Sequence, residues 1–460
     1  MNRRPRLNQG GRVLMSKVYA AAARSKIVLF ALPLLAASCA SKPKQPELSE
    51  QQRAAQVESF DLVYSKIKER HFDPAKVGSE WDAKHAELRP KVEHAKTEDE
   101  ARGASKDLIA SLHQSHFGII PAEAYEDISP DRASSSRSDL DHSGEPGFEL
   151  RAIEGQAVVT RVAPGSGAAR AGVRPGMALR FVNGKPVAPI LARLQKAHGE
   201  TREGGLMISV ALRSLVRGPE GSTSKFDFLG ADDVPQTIRI VLQPPPGSPV
   251  EFGNLPTMYL EIDRKPRASG IGYMWFSVWF DPPKLMGEIQ SAVKDCSDCK
   301  GFIIDLRGNI GGIGALAMGF GSWFVDKPNQ KLGTLITRES RLNFVLNPRP
   351  APFTGPLAIL VDEMSASTSE IFAGGMQDIG RARVFGTPTP GAALPSTVEV
   401  LPSGDRLQFA FANYISAKGE PLEAQGVHID EQVTITRAAL LAGSDPVLDA
   451  AISWIRSQTK

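Results

Sequence analysis

Three serines alternate in the stretch VDEMSASTSEIFAGGMQ, residues 361–377: Ser365, Ser367 and Ser369. The apolar run Leu357–Val361 ahead of them reads as a strand, and Ile371, Phe372 and Met376 behind them share one helical face. A strand that breaks sharply into a helix can hold a hydroxyl at the helix N-terminus. Backbone N–H groups and the helix dipole there favour a developing anion. The same serines can also serve as plain N-caps. A second segment, Arg307-Gly308-Asn309-Ile310-Gly311-Gly312, follows a buried-strand pattern at Gly301–Leu306 and opens a helical run to Phe324. Glycines in such a turn let the backbone approach a ligand and aim N–H groups at an oxygen. Neither a GKS/T sequence nor G-x-G-x-x-G is present, which argues against phosphate binding. An ordinary strand-to-helix turn is the bland alternative.

Taken together, DLRGNIGG, SASTSE and IFAGGMQDIGRARVFG resemble the C-terminal processing (tail-specific) serine peptidases and the related tricorn peptidase core. The resemblance covers nearly all of Ile271–Asp430 and implies an α/β core of the ClpP/crotonase-like kind. It makes Ser367 the nucleophile. The N–H of Thr368, with that of Gly311 or Gly312, would form the oxyanion hole. One departure is decisive. The processing peptidases carry a lysine base in a G-x-x-x-x-G-K-G-x segment, and the matching Gly386-Thr387-Pro388-Thr389-Pro390-Gly391-Ala392-Ala393 puts Ala392 at that position. A methyl group cannot accept a proton, so a Ser/Lys dyad is excluded.

Another base is at hand in Ser115-His116, which resembles the Ser-His pair of the tricorn-type tetrad. That branch completes the set with a glutamate. The segment Gly419-Glu420-Pro421-Leu422-Glu423-Ala424-Gln425-Gly426-Val427 resembles the family's "P-x-E-x-x-G-V" and points to Glu423, with Glu420 as its rival. The implied set is Ser367 as nucleophile, His116 as general base and then acid, and Ser115 with Glu423 orienting the imidazole. A structural role for His116 is the competing reading. His113 and His428 match no motif position; Ser365 and Ser369 read as caps, and Asp305, Arg307 and Glu370 as framework. No metal or other cofactor is expected.

The scaffold around these residues is read from the rest of the chain. Its 460 residues, 42% apolar and 23% charged, exceed one ordinary core. The net charge is +3, but the first 38 residues hold seven Arg/Lys and no acid. The remainder of the chain is mildly acidic and offers no basic footprint for nucleic acid. The leader is laid out as a secretory signal, with basic residues before the apolar run Ile27–Ala37. Its end, Leu34-Leu35-Ala36-Ala37-Ser38-Cys39, resembles a bacterial lipoprotein signal, so residues 1–38 would be removed and Cys39 lipidated on a membrane facing the periplasm or exterior. An ordinary cleaved signal is the alternative. Cys296 and Cys299 lack further zinc ligands nearby and read as a local disulfide.

Residues 39–48 suit a tether and 49–130 a helical N-terminal domain, whose helices give way to a short strand stopped by Pro121. Residues 140–245 read as a β-rich module with a short helix at Ala168–Ala171 and a hairpin at Asn183-Gly184. AVVTRVAPGSGAARAGVRPGMALRFVNGKPV closely resembles a PDZ domain, which implies a groove for a peptide C-terminus, with Gly147, Phe148, Glu149 and Leu150 as its carboxylate loop. Residues 251–435 alternate strands and helices, with strands at Ile271–Phe280, Arg406–Ala412 and Gly426–Val433, and 436–460 read as one amphipathic outer helix. The expectation is a multidomain exported serine endopeptidase acting on protein or peptide substrates. A catalytically inactive peptide- or lipid-binding scaffold of the same fold is the alternative.

Overall fold

The computed structural model describes residues 46–122, 144–264 and 270–458. The signal, Cys39 and most of the tether lie outside the described residues. Among the described residues no helix is long and apolar enough to cross a membrane.

Three helices open the described part of the chain: α1 (Glu50–Arg70), α2 (Ser79–Glu93) and α3 (Glu98–Ala110). Ser49 and Gln52 form a capping box on α1, and Thr97 caps α3. The chain then turns through Ser115-His116 into β1 (Gly118–Ile120). The apolar faces of the three helices bury Phe60, Val63, Trp81, Leu88 and Leu108 together with Leu394, Leu407 and Phe409 from far along the chain. Arg102 on α3 makes a two-pronged ion pair to Asp405, both contacts 2.9 Å, with both side chains almost wholly buried. Removing one partner strands the other charge in a dry site. Arg102→Met is therefore expected to lower unfolding free energy by about 3–5 kcal/mol in a denaturant titration, well beyond what a surface pair costs.

The second module is a five-stranded antiparallel sheet in the order β2-β3-β4-β6-β7, built from β2 (Phe148–Ile153), β3 (Gln156–Val162), β4 (Ala178–Val182), β6 (Thr223–Leu229) and β7 (Pro235–Val241). The short β5 (Lys185–Pro186) pairs with β4 across Asn183 and Gly184, both at positive φ (49° and 81°), as the hairpin dipeptide requires. The expected short helix is α4 (Gly167–Arg170), capped by the Ser166 hydroxyl. The β-rich reading needs correction, because two further helices lie between β5 and β6: α5 (Ala188–His198) and α6 (Gly204–Leu215). Leu191, Ile208 and Leu212 on these helices fill the module's core against Phe226 and Phe228.

The third region begins with β8 (Ser248–Val250), β9 (Met258–Leu260) and β10 (Ile262–Asp263). Next come β11 (Ile271–Phe276), α7 (Pro282–Lys294), β12 (Gly301–Asp305) and α8 (Leu316–Gly321). After β13 (Gln330–Thr337) and β14 (Arg341–Leu346), β15 (Leu357–Val361) leads into α9 (Thr368–Asp378) and β16 (Arg383–Gly386). The chain continues through β17 (Ser396–Val400), β18 (Arg406–Ala410), β19 (Ala412–Ser416) and β20 (Glu431–Gln432). It ends with α10 (Arg437–Leu441) and α11 (Pro446–Gln458).

The central sheet runs β10-β11-β12-β15-β16-β20 and is parallel from β11 onward. Its strands are apolar on both sides, as a sheet covered on both faces demands. Met274, Phe276, Phe302, Ile304, Leu357 and Ile359 face α7, α8 and α9. Ile271, Tyr273, Ile303, Ala358 and Leu360 face Val447, Ala451 and Ile455 of α11. The C-terminal segment is thus a structural layer rather than an outer decoration, and it is two helices, broken where Gly443 takes φ 74° and Pro446 starts α11.

Three strand expectations shrink, the first because Ile271–Phe280 is a strand only as far as Phe276. Arg406–Ala412 splits, because β18 pairs with β1 and β17 whereas β19 pairs with β13. Of Gly426–Val433 only Glu431–Gln432 pairs in the sheet, since Gly426 takes φ 67° and Val427 N–H donates to Thr389 Oγ1 instead. Cys296 and Cys299 are disulfide-bonded at the end of α7.

Candidate active site

β15 delivers the chain into a sharp elbow. Ser367 sits at φ 56°, ψ −117°, immediately before α9. A non-glycine residue in that region is strained, and the surroundings hold it there. Ser365 Oγ donates to Leu306 O (2.8 Å), and Ser369 Oγ donates to Asn309 O (3.0 Å) while accepting from Trp279 Nε1 (2.9 Å). Both are fully buried clamps between the elbow and the 306–309 turn; Ser367 alone of the three is partly exposed.

Gly311 and Gly312 lie directly opposite. A Cβ on Gly311 would fall 2.6 Å from Ser367 Cβ, and one on Gly312 would fall 2.4 Å from Trp279 O. Both have positive φ, 99° and 146°. Trp279 holds the turn through its backbone, donating to Gly311 O (2.9 Å) and accepting from Ile313 N–H (2.8 Å). The two glycines are not equivalent. Gly311 N–H donates to Asn309 Oδ1 at 3.0 Å, whereas Gly312 N–H and Thr368 N–H have no protein acceptor among the described residues. The alternative between Gly311 and Gly312 is therefore weighted toward Gly312 by geometry.

His116 arrives from the N-terminal helices because β1 pairs antiparallel with β18, Gly118 opposite Gln408. It is 9% exposed and has φ 60°, a second strained residue. Its Nδ1 lies 2.9 Å from Ser115 Oγ, and Ser115 Oγ lies 2.8 Å from Glu423 Oε2. The hydroxyl has a single proton to give. Donating it to the carboxylate leaves the oxygen to accept from Nδ1–H, so the imidazole keeps its lone pair on Nε2. Ser115 N–H also donates to Glu423 Oε1 (2.8 Å). Glu420 and His113 are exposed, and His428 lies out on the surface, so none joins this set.

The Ser115–His116–Glu423 set connects to the elbow through the segment that lacks the lysine. Ser367 N–H donates to Ala392 O (2.8 Å), and the next amide, Ala393 N–H, donates to Glu423 Oε2 (3.2 Å). Ala392 is wholly buried. Beside it, Glu370 is more than framework: its carboxylate accepts from Ser367 N–H, Thr389 Oγ1, Gly391 N–H and Ala392 N–H, at 2.7–3.1 Å. Burial pushes it up to about 7 against those four donors. The S-x-x-E spacing from Ser367 was the signal that could have shown this role.

Burial alone lowers His116 from 6.5 to about 4. Above 6.5 both folded and unfolded chains hold it neutral; below, only the unfolded chain takes the proton. Stability is therefore expected to fall progressively from pH 6.5 to pH 4, by ~3 kcal/mol for this group. Urea titrations of wild type and His116→Gln across that range check it, since the variant lacks this slope.

The second module touches the elbow. Leu206 of α6 is buried on Met364 and Ala366. Arg151 of β2 reaches Asp362 Oδ2 (3.3 Å), whose Oδ1 accepts from Gly308 N–H and Met364 N–H, both 2.9 Å. Of the four residues expected to form a carboxylate loop, Phe148 and Leu150 are buried in the module's core; Gly147 and Glu149 are partly exposed. A cavity of about 750 Å³ is lined by Val361, Asp362 and Glu363 just before the elbow, and one of about 620 Å³ lies at the far end of α9; neither is lined by Ser367 or His116.

Comparison with known proteins shows what the chain is similar to. Residues 270–433 match Peptidase family S41. The chain carries an S41 peptidase domain. "Carboxyl-terminal-processing peptidase 3, chloroplastic" of Arabidopsis thaliana is 25% identical over 376 residues, covering 80% of this chain and 67% of the relative. "Carboxy-terminal processing protease CtpA" of Bacillus subtilis is 25% identical over 364 residues, covering 78% and 68%. In three dimensions the photosystem II D1 C-terminal processing protease superposes with a TM-score of 0.54 at 19% identity, covering 90% of this chain and 98% of that one. The likeness of fold thus covers more of the chain than the residues matched to the family.

Proposed function

We propose that this S41 peptidase is an exported serine endopeptidase whose nucleophile, Ser367, is served by His116, Ser115 and Glu423 rather than by a lysine. The observation that carries the reading is the unbroken run of hydrogen bonds from Glu423 through Ser115 to His116 Nδ1, joined to the Ser367 elbow by the Ala392–Ala393 peptide.

His116 Nε2 takes the proton of Ser367 Oγ as that oxygen attacks the substrate carbonyl. The Nδ1–H bond to Ser115, backed by the Glu423 carboxylate, favours the imidazolium that forms. The oxyanion is met by Gly312 N–H and Thr368 N–H, fixed in place before the charge develops. His116 then hands its proton to the leaving amine. The acyl group stays on Ser367 until water, deprotonated by His116, releases it and restores the hydroxyl.

The second module is read as a PDZ domain. β2 is the edge strand of its sheet, so a peptide tail could add alongside it with its carboxylate near Gly147, engaging substrate or gating the elbow. The leader and Cys39 are read as a lipoprotein signal, which radiolabelled palmitate incorporation lost in Cys39→Ser tests. For the central reading, purified protein is incubated with an unfolded polypeptide and fragments are sequenced by mass spectrometry. Cleavage by the wild type, absent in Ser367→Ala of unchanged melting temperature, is the expected result; equal cleavage by both overturns it.

A further inference from the structure

The turn that carries Ser115 and His116 is strained at two places, with His113 at φ 52° and His116 at φ 60°. Residues other than glycine keep such a backbone only where their surroundings over-determine it. Glu423 supplies one restraint, accepting from Ser115 N–H and from Ser115 Oγ, both at 2.8 Å. A second comes from a histidine that the relay does not use. His71 closes α1, its N–H donating to Ile67 O (2.9 Å), and it is wholly buried.

The His71 imidazole is engaged at both nitrogens. Asp73 N–H donates to Nδ1 at 3.0 Å, and Nε2 lies 2.7 Å from Gln114 Oε1. A backbone amide can only donate. Nδ1 therefore holds the lone pair and Nε2 the proton, which is given to the Gln114 amide oxygen. Burial lowers the ring below its ordinary 6.5 and so favours this neutral form. The same ring stacks on Phe117, with centroids 5.5 Å apart and planes 16° from parallel. Gln114 and Phe117 are the residues immediately before and after the Ser115-His116 pair. His71 is itself pinned from a third element. Arg338, in the tip between β13 and β14, donates from Nε to His71 O (3.2 Å) and from Nη2 to Lys68 O (3.0 Å).

We propose that His71 is a positioning residue for the catalytic imidazole: through Gln114 and Phe117 it grips both ends of the strained turn in which His116 Nδ1 meets Ser115 Oγ. The inference rests on the reading of Ser367, His116, Ser115 and Glu423 as the hydrolytic relay. With both nitrogens committed and no exposed surface, His71 is not a base in its own right. Its loss frees the backbone at positions 113 and 116 to relax, and the His116 ring moves with it. A displacement of about 1 Å at a reacting group can cost roughly 10²-fold in rate. The loss falls on the proton-transfer step and not on binding.

The test is the rate at which a fluorophosphonate labels Ser367 in the full chain, followed against probe concentration. His71→Phe keeps a stacking ring without either polar bond. Its maximal rate is expected to fall roughly 10–100-fold, with the half-saturating probe concentration unchanged. Gln114→Met removes the acceptor from the turn itself and should lose as much. His71→Gln sets an amide N–H near the place of Nε2–H and should recover most of the rate. His85→Phe is the control: it gives up a 2.8 Å bond to Asp61 in the same helices, so it lowers the melting temperature without slowing labelling. Full rate in Gln114→Met or in folded His71→Phe overturns the inference while leaving the relay standing. Equal slowing of His71→Phe, His71→Gln and His85→Phe, the mark of a loosened fold, does the same. A wild type that takes no label, or that labels no faster than His116→Ala, overturns the relay itself.

Discussion

His116→Ala is expected to lower kcat/KM roughly 10⁴-fold with little change in KM, because it removes the group that moves the proton and not one that holds substrate. The size of the effect follows from the segment carrying Ala392. That residue is wholly buried, its N–H is held by Glu370 and its carbonyl by Ser367. Adding a lysine there, as Ala392→Lys in the His116→Ala background, is expected to restore nothing, since the space is filled and the peptide already engaged. Ser115→Ala should lie between the extremes, losing about 10²-fold, because the imidazole survives but loses the partner that fixes its tautomer. Steady-state kinetics on a peptide cut by the wild type measure all three.

The second large effect is expected at the glycine turn. Gly311→Ala sets a methyl 2.6 Å from Ser367 Cβ and 2.9 Å from Ala366 O, at φ 99°. Neither the elbow nor the turn can yield: Ser365, Ser369 and Trp279 clamp them together. The substitution should cost about 10²–10³-fold in kcat, the scale of losing an oxyanion donor, and about 1–3 kcal/mol of stability from backbone strain. Gly314→Ala is the control. Its Cβ would lie 3.6 Å from the Phe344 ring, ordinary contact, so rate and melting temperature should barely change.

Much of the site could be read from the chain because its parts are local. The alternating serines, the glycine turn and Ser115-His116 each sit in one short segment whose strand-to-helix or helix-to-strand pattern is plain in the apolar spacing. Glu423 was harder. Glu420 carries the same chemistry three residues away, and only the meeting of that loop with Ser115, 308 residues upstream, separates them. The choice between Gly311 and Gly312 likewise turned on a side chain, Asn309, taking one of the two amides.

The features that sequence reasoning missed depend on assembly. α6 reads GGLMISVALRSL, with apolar and β-branched residues close together that suit a strand as well as a helix until Leu206 finds Met364 and Ala366. The C-terminal segment looked like a surface helix because its charged face is exposed; its other face completes the central sheet's second layer through Val447, Ala451 and Ile455. Arg202 carries no motif, and only docking of the second module brings it to Thr389.

The most direct measurement is the rate of fluorophosphonate labelling at pH 8, with the modified residue located by peptide mapping, for wild type, His116→Ala and Ser367→Ala. An imidazole-served serine predicts one label on wild-type Ser367, its rate falling at least about 10³-fold in His116→Ala, and none in Ser367→Ala. Equal labelling of wild type and His116→Ala, or a wild-type Ser367 that takes no label while the protein binds peptides tightly, would contradict the account and leave a silent scaffold.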